Sequence, residues 1–161
     1  MEVNKEKLLE IIKEADNCME FHPETDKPEY YSFKLDAITD KNPVYRALSD
    51  IVHNADVSTK FAYQMVAEAI DALEYIINNE DETVDTDSLS DQIMEQADSN
   101  TPLYNSEIME FVSENPYSID DARNEVGEAD SLIRDGQMAY YLEWEKIAYE
   151  VLDALVGLLD D

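Results

Sequence analysis

Glycine and proline are scarce in this chain: three and five residues in 161. That excludes folds built on many tight turns, such as sandwiches and barrels, and favours long helices. Cysteine is scarcer still. Cys18 has no partner for an internal disulfide, which fits a reducing compartment. With two histidines, His22 and His53, the chain falls short of the four Cys/His ligands of a structural zinc site. Neither a Gly-rich phosphate loop nor a Gly-x-Ser-x-Gly elbow is present. Apolar runs last a few residues, far below the roughly 20 of a membrane span, and Met1 to Glu14 is charged throughout, unlike a signal peptide. A cytoplasmic protein is expected. The most telling shortage is of positive charge. Eleven Lys and Arg face 39 Asp and Glu, for a net charge of -28. Nucleic acid and anionic lipid would both repel such a chain, which argues against direct binding to either.

What is present argues for a folded domain. Apolar residues make up 44%, with ten Tyr, four Phe and one Trp, whereas disordered acidic tails are poor in aromatics. The length suits one domain or two small ones. Leu8, Ile11, Ile12, Ala15 and Met19 recur at helical spacing and predict a helix over 4–19, followed by a polar loop to Pro28. Tyr30 to Leu35 fits a short strand or a helix start. Val44, Ala47, Leu48, Ile51, Val52 and Ala55 predict a helix after Pro43. Ser58 is placed to cap a third, with the stripe Phe61, Met65, Val66, Ala69, Ile70, Leu73, Ile76 and Ile77. Residues 79–87 (NEDETVDTD) read as an acidic linker. Thr86 or Asp87 would cap a short helix through Ala97, and another holds Ile108, Met109 and Val112. Ser118 and Asp121 approximate a capping box for a helix ending at Gly136, and a last helix covers 137–159. The expected fold is therefore all-α, an elongated irregular bundle of about seven or eight helices. It divides into subdomains 1–78 and 88–161 or forms one continuous domain. Ala-Asp recurs near four segment ends, at Ala15-Asp16, Ala55-Asp56, Ala97-Asp98 and Ala129-Asp130, which suggests stacked helix-pair units.

Catalytic constellations are few. Asp50-x-x-His53 is one loose approximation to the paired Glu-x-x-His motifs of di-iron bundles, and His53 reads as a helix-surface residue. Cys18 reads as a small half-buried apolar residue, not a nucleophile. Glu125-x-x-Glu128 is followed 21 residues on by Glu150-x-x-Asp153. Each pair lies on one helix face, so two facing helices could converge four carboxylates on Mg²⁺. This pattern resembles the Glu-x-x-Glu…Glu-x-x-Asp signature of all-helical nucleoside triphosphate pyrophosphohydrolases. The resemblance covers only 125–153 and implies metal ligation by Glu125, Glu128, Glu150 and Asp153. The phosphate-holding bases of such enzymes are reduced here to Arg123, Arg134 and Lys146. The bland reading is that these carboxylates solvate two helices, and no metal, cofactor or catalysis is expected. The doublets Tyr30-Tyr31 and Tyr140-Tyr141 put one ring of each pair outward or at a core boundary. Together with the methionines they offer a surface for a homodimer.

The net charge itself needs a cause, because self-repulsion destabilises a compact state. Salt adaptation is one, although the use of Lys over Arg and the abundance of Ile and Asn argue against it. A second is an acidic adaptor or chaperone for a basic protein. The third, which ranks first, is mimicry of nucleic acid. Duplex DNA carries one charge per roughly 1.7 Å of axis, so 28 charges correspond to roughly 50 Å of duplex. Small phage and plasmid inhibitors of restriction or CRISPR machinery share this charge and size. The expected partner is a basic nucleic-acid-binding protein or enzyme. The contact carboxylates read from the acidic runs are Glu80, Asp81, Glu82, Asp85, Asp87, Asp91, Glu95, Asp98, Asp120, Asp121, Glu125 and Glu128.

Overall fold

A computed structural model describes residues 2–22, 30–39, 41–100, 105–115 and 132–159. Its first helix, α1 (Lys5–Asn17), is capped by Asn4, whose Oδ1 accepts the Lys7 amide at 3.0 Å. Leu8, Ile11, Ile12 and Ala15 face inward, as their spacing dictates. The helix stops at Asn17. Met19, expected on its stripe, opens strand β2 (Met19–His22) within the segment read as a loop. Strand β3 (Tyr30–Phe33) pairs with it antiparallel, in the register Met19 to Phe33 and Phe21 to Tyr31. Met19 and Phe33 share the buried face.

After a 3₁₀ turn (Leu35–Ala37), helix α2 (Pro43–Asn54) begins with two signals that agree. Pro43 occupies its first turn, and Asn42 Oδ1 accepts the amides of Val44 and Tyr45 at 3.1 and 3.2 Å. Helix α3 (Thr59–Asn78) starts after Ser58. That residue stands at the cap position without a side-chain cap bond, and its hydroxyl turns to Glu114 instead. Twelve of its twenty residues are buried, so α3 is the central rod of the molecule. It packs against α1, α2, β3, α4 (Thr86–Asn100) and α6 (Leu132–Leu159).

Helix α5 (Asn105–Glu114) lies on α6. Its Ile108 and Val112 sit over Gly136, where a Cβ would clash with both side chains. Gly136 is therefore a crossing point inside a helix, and the expected stop there is overturned. The close approach of α5 needs the missing side chain. The described residues contain six α-helices, not seven or eight, together with two small antiparallel ribbons. The expected helix opening at Ser118 lies outside them. Stacked helix-pair units are not what the packing resembles. In a solenoid each unit touches only its neighbours, whereas α6 touches all five other helices.

The acidic segment 79–87 is tied down. Strand β4 (Thr83–Asp85) pairs with β1 (Glu2–Asn4), bringing Val84 opposite Val3, and Val84 is fully buried. The Lys5 amide donates to Glu82 O at 2.9 Å, and its ammonium donates to Glu80 O at 2.8 Å and Asn78 O at 3.2 Å. Residues on both sides of this segment, from Leu8 to Val156, belong to one apolar core. No helix among the described residues is long and apolar enough to cross a membrane.

Candidate functional site

The predicted carboxylates on 80–95 gather on one edge of the molecule. The ribbon β1–β4 ends at Asp85, which is the true cap of α4 in place of Thr86 or Asp87. Its Oδ1 accepts the Asp87 amide at 3.1 Å. Asp87, Asp91 and Glu95 then follow at intervals of four. They line one face of α4, about 6 Å apart along the axis, and all three are exposed. Asp81, Glu82 and Asp85 are exposed on the adjoining turn and strand. Glu80 differs: it is half-buried, and its Oε1 accepts the Gln92 side-chain amide at 2.5 Å, stapling the turn to α4. Behind the face, Leu89 and Ile93 are fully buried against the core. The Tyr149 hydroxyl of α6 donates to Ser90 O at 3.3 Å, fixing α4 in rotation. Burial and the neighbouring Glu145 push that phenol up to about 12, so it remains a donor.

Asp98 lies on α4, but its side chain is outside the described set. Asp120, Asp121, Glu125 and Glu128 also lie outside the described residues. Of the metal-binding alternative, Glu150 and Asp153 are both exposed on α6. Among the described residues no three His, Cys, Asp or Glu side chains are grouped so as to hold a metal ion. His53 is an exposed residue on the last turn of α2, with Nδ1 2.7 Å from Ser49 O. Cys18 is buried in contact with Asn42, and burial raises its thiol above the ordinary value. A thiol so held is protonated, which suits packing and not nucleophilic attack. Of the second tyrosine doublet, Tyr140 is fully buried and Tyr141 partly so.

Charge is unevenly divided along the chain. Residues 61–161 carry 26 of the 39 acidic side chains but only three of the eleven basic ones, Arg123, Arg134 and Lys146. Lys146 is engaged with Asp56 at 2.6 Å. Lys5, Lys7, Lys13, Lys27, Lys34, Lys41, Arg46 and Lys60 all belong to the first 60 residues, and Lys60 pairs with Glu110 at 2.5 Å.

One group was not singled out by its sequence context. Glu68 of α3 accepts a hydrogen bond from the Tyr140 hydroxyl, and Gln64 reaches both. Burial raises the Glu68 carboxyl to about 7, against the lowering effect of those two bonds. Phe61, Gln64 and Glu68 fall at +3 and +7, one face of α3, and that spacing was the available signal. Comparison with known protein families, with curated proteins and with solved structures finds no match.

Proposed function

We propose that this chain is an acidic binding protein that inhibits a nucleic-acid-binding enzyme by offering carboxylates where the enzyme expects phosphates. A phage or mobile-element role against restriction or CRISPR machinery is part of that proposal. The observation that carries it is the exposed edge formed by Asp81, Glu82, Asp85, Asp87, Asp91 and Glu95 on a turn, a strand and a helix packed onto the core. Carboxylates held on such a frame have little ordering entropy left to lose on binding. Each accepts charge-assisted hydrogen bonds from Arg or Lys, as a phosphate does. The field of the net charge steers the molecule into a basic groove.

An adaptor for a basic protein would use the same edge. It differs in one respect, since a mimic and DNA exclude each other from the partner.

The test is a four-fold charge reversal, Asp81→Lys, Glu82→Lys, Asp91→Lys and Glu95→Lys. These positions leave the cap at Asp85 and the staple at Glu80 intact. The expected outcome is at least about a 100-fold loss of affinity for the captured enzyme, since each lost charged contact is worth about 1.5–3 kcal/mol, with helical circular dichroism unchanged. Unchanged affinity would sink the assignment.

A further inference from the structure

The turn that opens the acidic edge is clamped to a second surface feature. Lys5 Nζ donates to Glu80 O at 2.8 Å and to Asn78 O at 3.2 Å, which ties the start of α1 and the end of α3 to that turn. Glu80 is in turn stapled to Gln92 of α4. Asn78 also lines a groove of about 270 Å³ between α1 and α3. The rest of its lining is Glu6, Leu9, Glu10 and Lys13 of α1 and Glu74 of α3. Three carboxylates against one ammonium leave the groove negative, and Leu9, half-buried, gives it an apolar part. Among the described residues no ion pair engages Glu6, Glu10 or Glu74.

The outer rim of the groove is a stripe of α3. Asp71, Glu74, Tyr75 and Asn78 fall at intervals of three, four and seven from the first, so they share one outward face. Tyr75 is 62% exposed, the most exposed aromatic side chain among the described residues. Its backbone is fixed by Asn79, whose side-chain amide donates to Tyr75 O at 2.8 Å. Like charges crowd this face from both helices. Burial, then the charges of Asp16 on α1 and Glu74 on α3, hold the Asp71 carboxyl above its ordinary value. An arriving cation would relieve that repulsion.

Building on the inhibitory role proposed above, we infer that the partner's footprint continues from the acidic edge across the 78–80 turn onto the α1–α3 groove, where Tyr75 and Leu9 seat an arginine of the partner and Glu10 and Glu74 bind its guanidinium. The occupant follows from complementarity of two kinds. The sign of the groove calls for a cation, as a basic nucleic-acid-binding surface would supply. The ring and the apolar patch call for a planar, weakly hydrated cation on an apolar stem, which is arginine and not lysine. The groove thus adds an anchoring contact of arginine on an aromatic ring to a surface that otherwise offers carboxylates alone.

The test measures affinity for the captured enzyme in three variants: Tyr75→Ala with Glu10→Gln, Tyr75→Phe, and the four-lysine edge variant. Tyr75 and Glu10 are exposed, so helical circular dichroism should stay unchanged. The groove double variant is expected to bind at least about tenfold more weakly, Tyr75→Phe close to the wild type, and the edge variant far more weakly than either. If the edge variant loses binding while the groove variant keeps wild-type affinity, the groove is overturned and the acidic edge stands. If the edge variant binds as the wild type does, the edge reading fails and takes the continuous footprint with it. A second measurement needs neither a partner nor a variant. Hexa-arginine and hexa-lysine peptides are titrated into the wild-type chain at about 0.15 M salt, and its amide resonances are followed. Shifts over residues 6–13 and 71–78 that are clearly larger with arginine support the groove. Equal shifts with both peptides, or shifts confined to residues 81–95, overturn it.

Discussion

Glu68 shows how one residue's setting decides its chemistry. The carboxyl binds its proton more tightly in the folded chain than in the unfolded one, because burial raises it to about 7. The resulting stability is fully present below about pH 4.5 and is lost as pH rises through about 7. Glu68→Gln, which never ionises, escapes that loss. Relative to the wild type it gains up to about 3 kcal/mol at pH 8 and almost nothing at pH 4.5, as urea unfolding at the two pH values would measure. A smaller residue-scale expectation concerns Cys18. It is 3% exposed and its thiol is raised by burial, so alkylation at neutral pH is slow in the native protein and fast once urea unfolds it. The sequence reads Cys18 as a half-buried small apolar residue, and the structure buries it further. Glu68 was not legible because a single acid in a helix usually points to solvent. Only the neighbours brought by α5 and α6 leave it half-buried beside Tyr140.

At the scale of elements, the helices were readable where an apolar stripe and a terminus signal coincide. In α2 the Asn42-Pro43 start and the stripe from Val44 to Val52 agree, and in α3 the stripe alone suffices. The ribbons were not readable, because three or four residues are too few to display a period of two. Composition made 79–87 look like a linker, although Val84 is buried and paired. Gly136 misled for a related reason: a glycine that ends a helix and one over which another helix crosses look alike in sequence. The two helical glycines separate these cases by substitution. Gly157→Ala meets no atom within 4 Å and gains about 0.5–1 kcal/mol from helix propensity. Gly136→Ala gains the same term but drives a methyl into Ile108 and Val112, an overpacking cost of about 1–3 kcal/mol. Thermal unfolding of the pair should therefore move in opposite directions, with Gly157→Ala raised and Gly136→Ala lowered.

Over the whole molecule the dominant quantity is the charge of -28. Its sign and size were plain from composition, and its runs pointed to the edge on which Asp81 to Glu95 lie. The frame beneath that edge was hidden, because β1 comes from the far end of the sequence. Self-repulsion of this size weakens as ions screen it. Raising salt from about 0.02 to about 0.5 M should add about 1 kcal/mol or more, an increase in Tm of roughly 2–4 °C for a chain of this length. Calorimetry across that range checks it, and a flat or falling Tm would mean that the charges are compensated within the fold. Binding should respond oppositely, weakening with salt, because the proposed partner contacts are ion pairs.

The central claim, that this surface substitutes for nucleic acid, is tested most directly by competition. The protein is immobilised, the enzyme it captures from nuclease-treated source-cell lysate is purified, and the pair is challenged with duplex DNA at about 0.15 M salt. The account predicts that DNA displaces the enzyme in proportion to its own affinity, that no ternary complex forms, and that the four-lysine variant captures nothing. A stable complex of protein, enzyme and DNA together, formed equally well by the four-lysine variant, would contradict it.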